Sequence, residues 1–378
     1  MRFLKIILIN FLVFIFLSLL LGVIYHQLKK SRPVISDKKS PIINYNIKDL
    51  APAPKEYAYD NSFLYEKYPN GTLDRPFYET SMSMRNLNNR RNKKIRSYKM
   101  IKDTDEKIYD VVYTFNSLGH RLVKNQEKKI NPKYAVSLFG CSFTFGEGLQ
   151  DGLDYPSLLA GKLGNSWKVY NYGYMGYGPN STLQQIMEQQ DYFDDQKEDA
   201  DIFFWYYITD HLSRYFCPLE CYNKDRYWAT KMPDISVKNG AMEYHGSFLQ
   251  SPYFYRKLGQ LYNTLKINQH IDLPAVSLTT EQIKEFAAAV DHIAQQLKNK
   301  PLKKILLIHS FDEYTADLAS SFTDLGFDII NLDSVMKDIP LEKRELALDH
   351  HPNQLANWYV SEILKKYLSD NLKMDVNK

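Results

Sequence analysis

The chain reads as an α/β protein with a mostly parallel sheet, and three observations carry that reading. From residue 132 onward, short runs rich in β-branched and aromatic residues alternate with helix-like stretches, the order that builds a parallel sheet covered on both faces. The first of these runs leads into Gly140-Cys141-Ser142-Phe143-Thr144-Phe145-Gly146, a glycine-flanked serine at the carboxyl end of a strand. Open α/β sheets place their ligands there. Far downstream, Asp349-His350-His351-Pro352-Asn353 precedes a last helical stretch.

Taken in order, the chain opens on an apolar segment, residues 6–25, broken only by Asn10 and Ser18. About twenty such residues suffice to cross a hydrocarbon core of roughly 30 Å as a helix. Arg2 and Lys5 precede it, and Lys29, Lys30 and Arg32 follow. Leu19-Leu20-Leu21-Gly22-Val23 offers no small-residue cleavage site and no cysteine is placed for lipidation, so residues 1–29 are expected to be an uncleaved membrane anchor. Both flanks are basic, so charge does not set its orientation. Residues 30–56 carry Pro33, Pro41, Pro52 and Pro54 and read as a tether. Residues 57–131 read as a small β-containing accessory region. It has a turn at Pro69-Asn70-Gly71, a basic run over 85–96 that looks like a solvated loop, and an alternating strand over 108–115.

The main domain is expected over 132–370, with a tail at 371–378. Strands are predicted at 134–139, 167–170, 202–208, 304–309 and 328–331, and helices at 155–163, 181–191, 281–297, 314–325 and 354–368. Thr279 and Gln282 make a capping box for the third helix. Residues 211–278 interrupt the rhythm and read as an insertion framing a cleft.

Composition narrows the function. With 378 residues, 44% of them hydrophobic, the chain can bury one large core, alone or with a smaller accessory region. A net charge of +4, with basic residues spread rather than striped, argues against nucleic acid as a partner. The 29 tyrosines and 20 phenylalanines suit an aromatic-rich core and also a carbohydrate- or lipid-facing cleft. Of the three cysteines, Cys141 is expected to pack behind Ser142, while Cys217 and Cys221 are candidates for a small-loop disulfide. No histidines accompany them at zinc-like spacing, so no metal or other cofactor is expected. No protein partner is indicated.

Together these segments resemble the GDSL/SGNH hydrolase superfamily, over about residues 110–370. The Gly140–Gly146 block matches its first block, with Cys141 in place of the usual acid. Asn171-Tyr172-Gly173-Tyr174-Met175-Gly176 matches the second, and Asp349-His350-His351-Pro352-Asn353 the last. Asn116-Ser117-Leu118-Gly119-His120-Arg121 is similar to an element that precedes the domain in membrane-anchored relatives. The resemblance implies a flavodoxin-like three-layer α/β/α domain. It makes Ser142 the nucleophile, with its backbone N–H and that of Gly176 as oxyanion donors, and it makes Asp349 and His351, rather than His350, the acid–base pair. The third block normally carries an asparagine, where this chain has Thr209. The Thr209 hydroxyl is then the expected third donor, with a shorter reach.

These residue types fit acyl transfer. A serine hydroxyl is a weak nucleophile until a base takes its proton, and imidazole, with a pKa of about 6.5, suits that task near neutral pH. Asp349 would hold the tautomer, and a glycine at 176 lets backbone approach the oxyanion. Asp210 and His211 are open to two readings, substrate orientation or a structural ion pair with Arg214. His309, at a strand end, either lines the cleft or packs beneath it. The leading expectation is a serine esterase that cleaves a carboxylic ester, an O-acyl group on an envelope glycan or lipid, with the globular part outside the cytoplasm. An O-acyltransferase acting on a glycan uses the same groups, and a catalytically silent binding fold is the alternative from another class.

Overall fold

The computed structural model describes residues 42–58, 61–68, 77–78, 89–126, 132–188, 201–216, 232–238, 240–248, 278–297, 303–309, 312 and 314–377. The first half contains β1 (Ile42–Asn44), α1 (Ser62–Lys67), β2 (Phe77–Tyr78), β3 (Lys94–Met100), β4 (Lys107–Thr114), β5 (Tyr134–Phe139), α2 (Ser142–Phe145), α3 (Tyr155–Lys162), β6 (Trp167–Asn171) and α4 (Pro179–Glu188). There follow β7 (Ile202–Tyr207), α5 (Asp210–Phe216), β8 (Pro233–Lys238), β9 (Ala241–Ser247), α6 (Thr280–Gln295), β10 (Lys303–Ile308) and α7 (Thr315–Asp324). The chain closes with β11 (Phe327–Asn331), α8 (Asp333–Met336), α9 (Leu341–Arg344) and α10 (Gln354–Asp370).

Six strands in the order β1-β11-β10-β7-β5-β6, all parallel, form the central sheet. Strand β7 explains the layering. Its run Ile-Phe-Phe-Trp-Tyr-Tyr is buried throughout, as a central parallel strand covered on both faces must be. Phe203, Trp205 and Tyr207 enter a layer with Leu183, Ile186, Phe286 and Phe322 from α4, α6 and α7. Ile202, Phe204 and Tyr206 enter the opposite layer with Tyr155, Leu159, Val360 and Leu364 from α3 and α10. Helix α6 starts at the expected capping box, in which Thr279 and Gln282 bond each other's backbone N–H. Counted from β5, the strands cross the sheet in the flavodoxin-like order, with β1 added at the far edge. Strand β5 sends its successor β6 to one side while β7 lies on the other. The loop after β5 therefore opens at the topological switch point, where such sheets bind ligands.

Two expectations need correction. Residues 42–44 fall in the segment expected to be a tether, yet they pair with residues 329–331 as a sixth strand. Ile42 and Ile43 add apolar side chains to opposite faces of the sheet edge, and the Tyr45 N–H donates to Ser334 Oγ at 3.1 Å. Residues 94–96 of the supposed solvated loop open β3. There Ile95 is buried, and the Arg96 guanidinium donates twice to the Asp110 carboxylate of β4, at 2.7 Å each.

Strands β2, β3 and β4 form a separate antiparallel sheet. Its Ile95, Tyr109 and Tyr113 share a core with Phe145, Tyr174 and Leu346, from the loops around Ser142, Gly176 and His351. The expected insertion contributes most of α5 and the β8–β9 hairpin. Cys217 and Cys221 lie outside the described residues, as does the expected anchor at 6–25. Among the described residues no helix is long and apolar enough to cross a membrane.

Candidate active site

The serine turn is built by close contacts that exclude side chains. Gly140 has φ +146°, and a Cβ there would lie 2.4 Å from Thr144 Oγ1. Cys141 is buried and free, and it occupies the position just before the short helix α2, without a side-chain bond to it. The N–H groups of Gly146 and Glu147 both donate to the Ser142 carbonyl, at 2.8 and 3.0 Å. Arg121, the arginine of the element before the domain, then locks this turn from below. It is 2% exposed, and it donates to the carbonyls of Phe145 and Gly146 at 2.6 Å and of Leu149 at 2.7 Å. Asn116 holds the approach to Arg121, its Oδ1 accepting from the N–H groups of Leu118 and His120 at 3.0 Å. The motif is thus a brace for the Ser142 turn.

The second block docks on the same turn. Asn171 Nδ2 donates to the Thr144 carbonyl and its Oδ1 accepts from the Gly173 N–H, both at 3.0 Å. A Cβ on Gly173 would meet Thr144 Cβ at 2.5 Å, so glycine is required for this approach. Gly176, at φ +72°, follows in the tight turn closed by the bond from the Tyr177 N–H to the Tyr174 carbonyl. Among the described residues neither its N–H nor that of Ser142 donates to a protein acceptor.

The last block is a closed loop. The Leu346 N–H donates to the His351 carbonyl at 2.8 Å, Glu345 bridges Pro352, and Leu348 and His350 take left-handed backbone conformations. Asn353 ends it by capping α10, accepting from the N–H groups of Leu355 and Ala356. This fold of the loop sends neighbouring histidines apart. His350 turns outward to Glu345, with Nδ1 to Oε2 at 3.0 Å. His351 turns inward, with Nε2 2.8 Å from Ser142 Oγ and Nδ1 2.8 Å from Asp349 Oδ2. A carboxylate only accepts, so Nδ1 carries the hydrogen and Nε2 is left to accept from the serine. Burial pulls the imidazole pKa down, but the charges of Glu147 and Asp349 outweigh it and hold it above the ordinary value. Burial acts to raise Asp349; His351 and Lys99 prevail and keep its carboxyl below the usual carboxylate range.

Two residues of this cluster went unread in the sequence. Lys99 is an inward-facing position of β3 in line with Ile95 and Ser97, and 8% of it is exposed. Its ammonium hydrogen-bonds Asp349 and lies 3.5 Å from Glu147 Oε1. Burial opposes its charge, but the two carboxylates more than compensate and keep it protonated. Glu147 is 6% exposed, and its Oε2 lies 3.6 Å from His351 Nε2. Strand β3 reads Lys-Ile-Arg-Ser-Tyr-Lys-Met, with no apolar alternation to single out Lys99, so the sequence carries no local signal for this pair.

Other expected residues stand apart from the triad. Thr209 donates its hydroxyl to Asp312 Oδ2 at 2.6 Å, so that proton is committed elsewhere and the expectation of a third oxyanion donor is corrected. Asp210 pairs with Arg214 at 3.4 Å, and Arg214 also donates to the Tyr177 carbonyl. His211 is fully buried against the rings of Trp205 and Tyr207; burial, then Arg214, holds its pKa well below the ordinary range. His309 shares a hydrogen bond of 2.8 Å with Tyr206 Oη and meets the Phe143 ring edge-on, beneath the serine turn. Burial, with Arg344, pushes its pKa down to about 4, so it stays neutral. Among the described residues no cluster of His, Cys, Asp and Glu could hold a metal ion.

No protein-family profile and no curated protein matches the sequence. The chain is similar to solved structures of a lipolytic G-D-S-L family protein, an acetylxylan esterase and a lipase. A lipolytic G-D-S-L family protein from Veillonella parvula aligns at 12% identity, over 64% of this chain and 100% of its own, with a TM-score of 0.34. An acetylxylan esterase from Geobacillus stearothermophilus, in a catalytic mutant form, aligns at 11% over 66% and 99%, with a TM-score of 0.36. A lipase from a goat rumen metagenome aligns at 16% over 61% and 96%, with a TM-score of 0.32.

Proposed function

We propose that this chain is a serine esterase that hydrolyses a carboxylic ester through an acyl-Ser142 intermediate. The observation that carries the reading is the unbroken hydrogen-bond chain from Ser142 Oγ through His351 to Asp349, with both links at 2.8 Å. Ser142 Oγ attacks the ester carbonyl carbon as His351 Nε2 takes its proton. The alcohol leaves with that proton, and water then attacks the acyl-serine by the same route in reverse. Asp349 holds Nδ1–H and stabilises the imidazolium. Backbone N–H groups of Ser142 and Gly176 receive the oxyanion, without a side-chain donor from Thr209. A fold kept only for binding has no physical need for a serine within hydrogen-bond reach of an imidazole held by a buried carboxylate.

The substrate class we assign is an O-acyl group on a glycan or a lipid. Residues 1–29 anchor the chain in a membrane, with the catalytic domain outside the cytoplasm. The test is turnover of a short-chain aryl ester by the full chain in detergent, beside its Ser142→Ala variant. Loss of turnover by about 10⁴-fold or more, together with loss of fluorophosphonate labelling, is the expected result. Labelling retained in Ser142→Ala would overturn the assignment.

A further inference from the structure

Glu147 stands beside the one nitrogen that moves protons to and from Ser142. Its backbone is fixed by the bond from its N–H to the Ser142 carbonyl at 3.0 Å. Its two oxygens have different surroundings. Oε1 is held by Lys99 Nζ at 3.5 Å and by the Tyr109 hydroxyl at 3.3 Å. Oε2 faces His351 Nε2 at 3.6 Å, while Ser142 Oγ lies 2.8 Å from that same Nε2. A separation of 3.6 Å is too long for a good direct hydrogen bond but is easily spanned by a water bonded to both atoms.

We propose that Glu147 is a catalytic residue of deacylation, its Oε2 accepting the second hydrogen of the attacking water while His351 Nε2 takes the first. This rests on the reading of Ser142 as nucleophile. The water oxygen bonds to the carbonyl carbon of acyl-Ser142, one proton passes to Nε2, and the carbonyl electron pair becomes the oxyanion. Collapse re-forms the carbonyl and breaks the bond to Oγ, which takes the proton back from Nε2. The carboxylic acid departs with the other hydrogen of the water, still directed at Oε2. An alcohol has a single hydroxyl hydrogen, which goes to Nε2, and it turns carbon toward the carboxylate instead. The site therefore selects water over an alcohol as acyl acceptor.

A bare carboxylate here would oppose the oxyanion, and Lys99 removes that objection. Bonded to Asp349 and close to Glu147, it leaves the cluster with one net negative charge, cancelled once His351 becomes imidazolium. Lys99 is thus a positioning residue, contributed by the accessory sheet.

The test is the product partition of a short-chain aryl ester with the full chain in detergent, in the presence of n-propanol. Free acid and propyl ester arise from the same acyl-enzyme, so their ratio is independent of how much protein is active. In Glu147→Gln, Lys99 can only donate and so requires the amide oxygen at the Oε1 position, and the amide NH₂ replaces the acceptor facing Nε2. The expected result is retained fluorophosphonate labelling of Ser142 and a propyl ester to acid ratio raised about 10-fold or more, with Glu147→Met behaving alike. A ratio within about 2-fold of wild type in either variant, beside intact fluorophosphonate labelling of the wild type, overturns the role of Glu147. Absence of fluorophosphonate labelling at Ser142 in the wild type overturns the nucleophile reading itself, and the inference with it.

Discussion

Replacing Lys99 by methionine removes a buried positive charge while filling nearly the same volume, and two readouts follow. The first is stability. Lys99 Nζ lies 3.5 Å from Glu147 and hydrogen-bonds Asp349. At an effective dielectric near 20, charges at that spacing interact by roughly 5 kcal/mol. Orphaning buried partners typically costs about 3–5 kcal/mol. A loss of ~4 kcal/mol, set against an unfolding entropy of about 2.1 cal/mol/K per residue, lowers Tm by roughly 5 °C for a chain of this length. The second readout is pH. Burial lowers the His351 pKa, Glu147 and Asp349 raise it, and Lys99 opposes those two. Deleting Lys99 raises it further. Since only the free-base imidazole activates Ser142, kcat/KM climbs as pH rises through that pKa, and the acid limb of Lys99→Met moves to higher pH. Lys99→Arg keeps the charge and holds the limb near the wild-type position, whatever its packing does to Tm. Melting curves and pH–rate profiles with an aryl ester measure both effects. An acid limb that stays put or moves down in Lys99→Met would refute the reasoning.

Two further outcomes separate the roles of neighbouring groups. His351→Ala is expected to abolish turnover, by about 10³-fold or more, while His350→Ala, which removes an exposed ring bonded to Glu345, keeps most of it; steady-state kinetics of the pair decides the register. Thr209→Val should reduce kcat by less than about 3-fold, because the hydroxyl is spent on Asp312, whereas loss of a working oxyanion donor costs about 10²–10³-fold.

Much of the main domain was legible because its parallel strands are buried on both faces and so read as uninterrupted apolar runs, as in Ile202–Tyr207. The serine, the second-block Asn171 and the Asp349–His351 loop were legible because turns that admit only particular residues leave local signatures. The rest depends on partners remote in sequence. Nothing near Ile42 announces that it lies beside Ile329, and three residues are too few to display a period. Thr209 stood at the right place in the chain, but Asp312, 103 residues later, takes its hydroxyl. Lys99 shares its face with Ile95 and Ser97, a face with no apolar period to break, so nothing local announced its two carboxylate partners. Arg121 was visible as part of a motif, but its three carbonyl acceptors were not, because a guanidinium carries no mark of which turn it will brace.

The outer strand β1 also sets the timing of assembly. The hydrogen bond from Tyr45, just after β1, to Ser334, in the helix just after β11, joins positions 289 residues apart. At a synthesis rate of roughly 5–20 residues per second, the early segment waits about 15–60 s for its partner to emerge. Closing so long a loop costs more entropy than seating the arginine brace, whose partners lie 24 to 28 residues apart, so the sheet edge is the more demanding contact to form. Until then β11 presents an unpaired row of backbone donors and acceptors, the point at which a nascent copy of this protein is most exposed to pairing with the wrong strand.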